Sequence, residues 1–172
     1  MTETLAFSDE AMKKYEWLLT RYPTRRAALL PTLRIAESEF GELGVAQMRY
    51  VADLMEIPPA AVFGVVTFYT HYRRAGVGKY HLQVCSTLSC ALRGSGDVVS
   101  RITERLGISL GETSECGLFT VSKVECLGSC DTAPVIQCND DYHEGLSLED
   151  VDALIEQLRQ EAGKGVSSRV AE

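Results

Sequence analysis

Along residues 8–70 the apolar positions recur every three or four residues, which predicts helices. Ser8 or Asp9 can cap a first helix, with Ala11, Tyr15, Leu18, Leu19 and Tyr22 on one stripe and Pro23 as its stop. Thr24 can cap a second, whose apolar face runs Ala27, Leu30, Leu33, Ala36 and Phe40 before Gly41 closes it. Pro31 falls inside that pattern and predicts a kink. A third helix spans about Val45 to Met55. Pro58 and Pro59 open a fourth, Ala60 to about Thr70, which is apolar almost all round and is therefore expected at the buried centre of a small bundle. The last two helices have the outline of a helix-turn-helix. The fourth carries no charged residue, however, and a recognition helix needs polar and basic side chains facing a groove. A packed helical hairpin is the better reading.

The pattern changes to alternation near Gly76-Val77-Gly78, a weak linker signal that lacks the glycine spacing of a dinucleotide loop. Tyr80 to Cys85 reads as a strand, Gly94 to Leu106 as a helix capped by Ser95 and closed by Gly107, and Phe119 to Glu125 as a second strand. Pro134 leads into a third strand, Val135 to Cys138. Asn139-Asp140-Asp141 makes a tight turn, and Tyr142 to Glu144 completes a hairpin. Ser147 and Asp150 form a capping box for a last helix bearing Val151, Leu154, Ile155 and Leu158. From Ala162 to Glu172 the apolar period is lost, and disorder is expected. The order β-α-β-β-β-α suggests a thioredoxin-like layout. The fold class is α+β: a helical bundle over 1–75, a thioredoxin-like domain over 76–161 and a tail over 162–172.

Composition narrows the setting. With 172 residues, 45% hydrophobic and 24% charged, the chain reads as an ordinary soluble protein of one domain or two small ones. No stretch approaches the roughly 18 apolar residues that a membrane span needs. The start shows neither a signal peptide nor an Arg-rich presequence, so a cytoplasmic chain, or one already processed, is expected. Charge is uneven: residues 1–75 hold nine Lys/Arg and nine Asp/Glu, whereas residues 76–172 hold eight and fifteen, the whole net charge of −7. An acidic second half argues against nucleic acid as a partner.

That acidic half also holds all six cysteines, and a reducing compartment favours metal or redox chemistry over disulfides. Four of them form two pairs, Cys85-x4-Cys90 and Cys126-x3-Cys130, separated by 35 residues, each pair following a predicted strand. Three chemistries compete. Structural zinc prefers tight C-x2-C pairs, and none is present. A dithiol oxidoreductase needs C-x-x-C at a helix start, which is also missing. A [2Fe–2S] cluster spans two ligand pairs, and plant-type ferredoxins already use a C-x4-C element. Spacing alone favours the cluster and leaves zinc, and a disulfide or inert core cysteines, open.

Phe119-Thr120, then Cys126-Leu127-Gly128-Ser129-Cys130, then Ala133-Pro134 resembles the signature of the small [2Fe–2S] subunit of the NADH-dehydrogenase module of respiratory complex I. Cys85-x4-Cys90-x3-Gly94 is similar to that family's first ligand pair. Tyr22-Pro23, Ala28-Leu29-Leu30-Pro31, Gly64-Val65-Val66-Thr67-Phe68-Tyr69 and Asn139-Asp140-Asp141-Tyr142 resemble its other recurrent stretches, in order. The likeness covers about residues 8 to 160. It implies a thioredoxin-like [2Fe–2S] ferredoxin domain behind a helical bundle, with Cys85, Cys90, Cys126 and Cys130 as ligands of one cluster. It also implies a partner flavoprotein subunit that takes hydride from NADH onto FMN, both sites lying on that partner. The setting implied is a larger respiratory complex, peripheral on the cytoplasmic side of the inner membrane, without insertion of this chain. An equivalent subunit of an NAD-linked hydrogenase or formate dehydrogenase is the near alternative; a zinc-stabilised adaptor is the remote one.

One position departs from the signature. Cys116 stands where the family usually has Asp, and the adjacent Glu115 predicts a raised, unreactive thiol. Cys138 alternates with Ile136 and reads as core. His71, His81 and His143 have no catalytic partner nearby in sequence, so no turnover is expected from this chain alone. The work expected is one-electron transfer. Gly94 and Gly128 are expected to let backbone N–H groups approach the sulfurs. Glu125 and Asp131 are expected to keep the potential low, near the roughly −400 mV of plant-type centres.

Overall fold

The computed structural model describes residues 5–167, the side chains of 164–167 excepted, and divides into two compact units, 1–75 and 76–172. Four helices make the first unit. In α1 (Asp9–Leu19) the Ser8 hydroxyl accepts from the Ala11 N–H at 3.3 Å, and Asp9 and Glu10 sit where the helix dipole favours acids. Thr24 caps as expected, accepting from Ala27 N–H at 3.2 Å, but what it starts is a 3-10 turn, Arg25–Ala28. The turn runs into α2 (Leu29–Phe40). Pro31 therefore lies in the first turn of α2, where a missing N–H is one of the donors the helix leaves unpaired anyway, and not mid-helix as the sequence pattern suggests. Gly41, at φ 80°, ends α2 in the left-handed conformation.

Helices α3 (Val45–Met55) and α4 (Pro59–Phe68) follow, the latter with Pro at its first position. Leu33, Val51, Met55, Val62 and Val66 form the buried centre. Tyr72 closes it, its hydroxyl donating to Leu30 O at 2.9 Å. The expectation that α4 is buried all round does not hold. Only Val62 and Val66 are buried, while Phe63 is 52% and Phe68 76% exposed. A four-helix unit of this size offers α4 neighbours on one side, so its composition exceeds what the unit can cover.

The second unit is a four-stranded sheet in the order β2-β1-β3-β4. Strands β1 (Tyr80–Cys85) and β2 (Phe119–Val124) run parallel, Tyr80 opposite Phe119 and Cys85 opposite Val124. Such a pair needs a crossover, supplied by α5 (Leu88–Leu92) and α6 (Ser95–Leu106). Strands β3 (Val135–Cys138) and β4 (Asp141–Glu144) continue antiparallel around Asn139, at φ 55°. The Ser147–Asp150 capping box forms: Ser147 N–H donates to the Asp150 carboxylate at 3.0 Å, and Asp150 N–H to the Ser147 hydroxyl at 3.2 Å. It opens α7 (Leu148–Ser167). One sheet face, with Leu82, Val84, Val121 and Ile136, packs on Val98 and Ile102 of α6 and Ile155 of α7. Asp152 of α7 joins the two helices by ion pairs to Arg101 at 2.5 Å and Arg105 at 3.1 Å.

Three details differ from the sequence reading. Helix α5 replaces part of an expected loop. Gly94, at φ 88°, and not Ser95, is the cap of α6. Helix α7 passes Ala162, where the tail is expected to begin: Ala162 is buried and extends the stripe of Val151, Ile155 and Leu158, too small a side chain to mark the period in sequence. Residues 168–172 of the expected tail lie outside the described residues. Among the described residues, no helix is long and apolar enough to cross a membrane.

Candidate metal centre

Parallel pairing decides where the cysteines meet. Cys85 is the last residue of β1, and its neighbour across the ladder is Val124, two residues before Cys126. Both cysteine pairs thus emerge at the same end of the sheet. The chain after Cys85 turns into α5, which carries Cys90; the chain after Cys126 turns at Gly128, φ 85°, and reaches Cys130 at the start of a 3-10 turn, Cys130–Thr132. Cys85 and Cys90 are buried with Ala133 and Val135, whereas Cys126 and Cys130 are exposed.

The thiols stand as two pairs. Cys126 and Cys130 sulfurs are 3.6 Å apart. Cys85 lies beside Cys90, each altering the other's proton equilibrium. Burial pushes the Cys85 thiol up, but hydrogen bonds from Thr87, from the Leu127 N–H and from Cys90 outweigh it and leave it below its ordinary value. Burial first and Cys85 second raise Cys90. The Gly128 N–H, 3.4 Å from Cys126 sulfur, is the main cause that lowers Cys126; Cys126 in turn raises Cys130. Each pair therefore holds one readily ionised and one resistant sulfur, as coupled neighbours do. Among the described residues, no three His, Cys, Asp or Glu side chains converge on a site for a single ion.

Two residues to which sequence reasoning assigns no role at the site brace it, Thr87 between the pairs and Tyr142 on the loop of the second. The Thr87 hydroxyl is 3.2 Å from Cys85 sulfur and also acts on Cys126. Tyr142, on β4, donates from its hydroxyl to Leu127 O at 2.8 Å. Ser129 contacts the Glu144 carboxylate and lies 2.9 Å from the Thr132 hydroxyl, fixing the far side of the loop. Thr87 is two residues from Cys85, but its reach to Cys126, like that of Tyr142 to Leu127 and of Ser129 to Glu144, comes from tertiary pairing that no local pattern marks. Gly128 behaves as expected towards sulfur. Gly94 does not: its N–H bonds to Ala91 O at 3.3 Å.

The remaining cysteines stay apart from the two pairs. Cys138 is buried in the sheet core, and burial pushes its thiol up to about 11. Cys116 reverses its expectation. Its thiol is lowered, by the Ser114 hydroxyl at 3.4 Å, then the Leu118 N–H, with a smaller contribution from Arg159. Direct hydrogen bonds to sulfur, and not the neighbouring Glu115, set the direction.

Comparison with known proteins bears on what such a donor set holds. The family model described as thioredoxin-like [2Fe-2S] ferredoxin matches residues 15–159. The chain belongs to this family. The thioredoxin-like [2Fe–2S] ferredoxins have one [2Fe–2S] cluster as cofactor, and so does this chain. The residues present fit such a group: four thiols in two pairs, with amide and hydroxyl donors already directed at sulfur. The chain is 45% identical over 163 residues to the second subunit of the NADH-quinone oxidoreductase of Thermus thermophilus, covering 93% of this chain and 89% of that protein. It is 41% identical over 160 residues to a subunit of the NADH-quinone oxidoreductase of Rickettsia felis, covering 91% and 96%. A solved NAD+-reducing [NiFe]-hydrogenase shares the fold, with a TM-score of 0.67 and 20% identity over 77% of this chain and 23% of that one.

Proposed function

We propose that this chain is the electron-transfer subunit of an NADH–quinone oxidoreductase and that Cys85, Cys90, Cys126 and Cys130 hold its cluster. The observation that carries the assignment is the parallel β1–β2 register, which delivers two thiol pairs to one sheet end. The relatives of that name, similar over about nine-tenths of both sequences, support the assembly. When bound, the cluster supplies a reversible one-electron couple. The protein's part is to hold four sulfurs, direct N–H and O–H donors at them, and bury one pair while leaving the other exposed. Metal binding requires all four thiols deprotonated, and the lowered Cys85 and Cys126 start that process.

The partner is a flavoprotein subunit whose FMN takes hydride from NADH and exchanges single electrons with this centre. The uncovered side of α4, with Phe63 and Phe68, is the surface that an apolar partner would cover. The assembly sits against the cytoplasmic side of the inner membrane through other subunits.

The test is anaerobic purification, iron analysis and low-temperature EPR after dithionite. Two irons per chain and a rhombic spin-half signal are expected, lost or severely altered in Cys85→Ser, Cys90→Ser, Cys126→Ser and Cys130→Ser. A native signal surviving in any of the four removes that cysteine from the ligand set. Zinc in place of iron overturns the function.

A further inference from the structure

Tyr142 has an unusual position for a tyrosine that makes a well-formed hydrogen bond. It lies on the edge strand β4, nearly half exposed, so burial of its ring explains little of its place. Its hydroxyl donates to Leu127 O at 2.8 Å, fifteen residues away in sequence. That oxygen belongs to the peptide unit joining Leu127 to Gly128. The N–H of the same unit, on Gly128, donates to Cys126 sulfur at 3.4 Å. The three groups form one line, O–H to O=C, through the amide, N–H to S. Gly128 itself takes φ 85° where the chain turns on towards Cys130, a conformation that side chains with a Cβ rarely adopt.

Amide resonance links the two ends of that line. A hydrogen bond accepted at the carbonyl draws density from the nitrogen and makes the N–H a stronger donor. The other anchors of the loop do not duplicate this. Ser129 is held by Glu144 and Thr132, one residue beyond the peptide in question. The Leu127 N–H belongs to the preceding peptide and acts on Cys85.

We propose that Tyr142 is a positioning residue for the cluster: it fixes and polarises the Leu127–Gly128 peptide so that the Gly128 N–H bonds Cys126 sulfur, and it thereby raises the reduction potential of the centre. The inference rests on the reading in which Cys126 is a ligand. The sign follows from charge. Reduction adds negative charge shared by the sulfurs, and a donor to sulfur stabilises the reduced state more than the oxidised one. Weakening the donor lowers the potential.

The test uses the full chain in three forms: wild type, Tyr142→Phe, and wild type carrying 3-fluorotyrosine at position 142, whose hydroxyl is a stronger donor of nearly the same shape. Each is titrated electrochemically at pH 7, with iron content and the nitrogen coupling of 15N-glycine read by pulsed EPR. At the wild-type midpoint, Tyr142→Phe is expected to lower the reduced-to-oxidised ratio about 1.3- to 4.5-fold, the effect of losing a strengthening of about 10–30% in one charge-assisted hydrogen bond. The fluorinated form is expected to raise it. The glycine coupling should weaken in the first and grow in the second, which a merely structural role would not produce. Should Tyr142→Phe fail to load iron, the fluorinated form decides. Coincident midpoints with full iron overturn the inference and leave the cysteine assignment standing; a wild-type chain without the two-iron signal overturns both.

Discussion

Gly78 sits where β1 begins its run beside β2, and an added methyl there has nowhere to go. A Cβ built on Gly78 meets three backbone atoms at 2.9 Å, Leu118 C, Phe119 C and Phe119 N. Ordinary contact is about 3.5–4.0 Å, so the backbone must move by roughly half an ångström or more. These atoms cannot swing aside like a side-chain tip. Tyr80 N–H is bonded to Leu118 O at 2.7 Å and Lys79 N–H to Gly117 O at 3.0 Å, so displacement strains the first rungs of the parallel ladder. Overpacking of this kind costs about 1–3 kcal/mol, offset by about 0.4–1 kcal/mol because alanine restricts the unfolded chain. Gly78→Ala is therefore expected to destabilise the second unit by about 1–2 kcal/mol, or roughly 5–15 °C in its transition. Gly96 in α6 provides the contrast. Nothing lies within 4 Å of its Cβ position, so Gly96→Ala should stabilise by about 0.5–1 kcal/mol. Urea unfolding followed by the visible circular dichroism of the cluster reports the second unit. Fluorescence of Trp17, the chain's one tryptophan, reports the first and should not change. Gly78 and Cys85 are seven residues apart, about 23 Å along an extended strand, so the folded spectrum should also be unchanged. Gly78→Ala as stable as wild type, or stabilised like Gly96→Ala, would refute the close-approach reading.

Cys138 predicts an alkaline limit: its folded thiol is raised from 9.0 to about 11, so its contribution is complete below pH 9 and is lost as pH rises towards 11. Urea midpoints between pH 8 and 11 should fall less steeply in Cys138→Ala; equal slopes would remove Cys138 as the cause. Thr87→Val deletes the hydroxyl 3.2 Å from Cys85 sulfur and should shift the midpoint potential negative with iron content retained. An unshifted midpoint would mean that the hydroxyl does not donate to the bound sulfur. Phe63→Arg on the uncovered side of α4 should weaken assembly with the proposed flavoprotein partner about tenfold or more while leaving the EPR signal intact, measured by titration of the purified proteins. Undiminished affinity would place the docking surface elsewhere.

Local chemistry is legible in the sequence and its surroundings are not. The helix α3, the strand β1 and the Ser147–Asp150 box can be read because each is fixed by residues within one turn or one strand. Pro31 is misplaced by the periodic pattern because a 3-10 turn moves the start of its helix, a shift that leaves no periodic trace. Helix α4 is misjudged because composition reports how apolar a helix is and not which neighbours exist to cover it. The four cysteines are visible as spaced pairs. Tyr142 is not, since tertiary structure brings the Leu127 carbonyl to it, and Thr87, two residues from Cys85, carries no spacing signal that sets it apart from other loop threonines. The Cys116 direction fails for a local reason: Glu115 is its neighbour in sequence, but the loop geometry turns Ser114 and the Leu118 N–H, each two residues away, onto its sulfur.

The parallel register of β1 and β2 also sets an order of events. Neither strand can find the other through a short turn; the whole of α5, α6 and the loop to Leu118 must first be made and folded back. Non-local pairings of this kind close late. A nascent or partly unfolded chain thus exposes sulfurs in twos, a poor and exchangeable holder of iron. With Cys85, Cys90, Cys126 and Cys130 as the proposed ligands, closing the β1–β2 seam is what brings the two donor pairs into one site, so on that reading cluster acquisition follows the topology. A chain that retains iron has, by that fact, already completed its hardest contact.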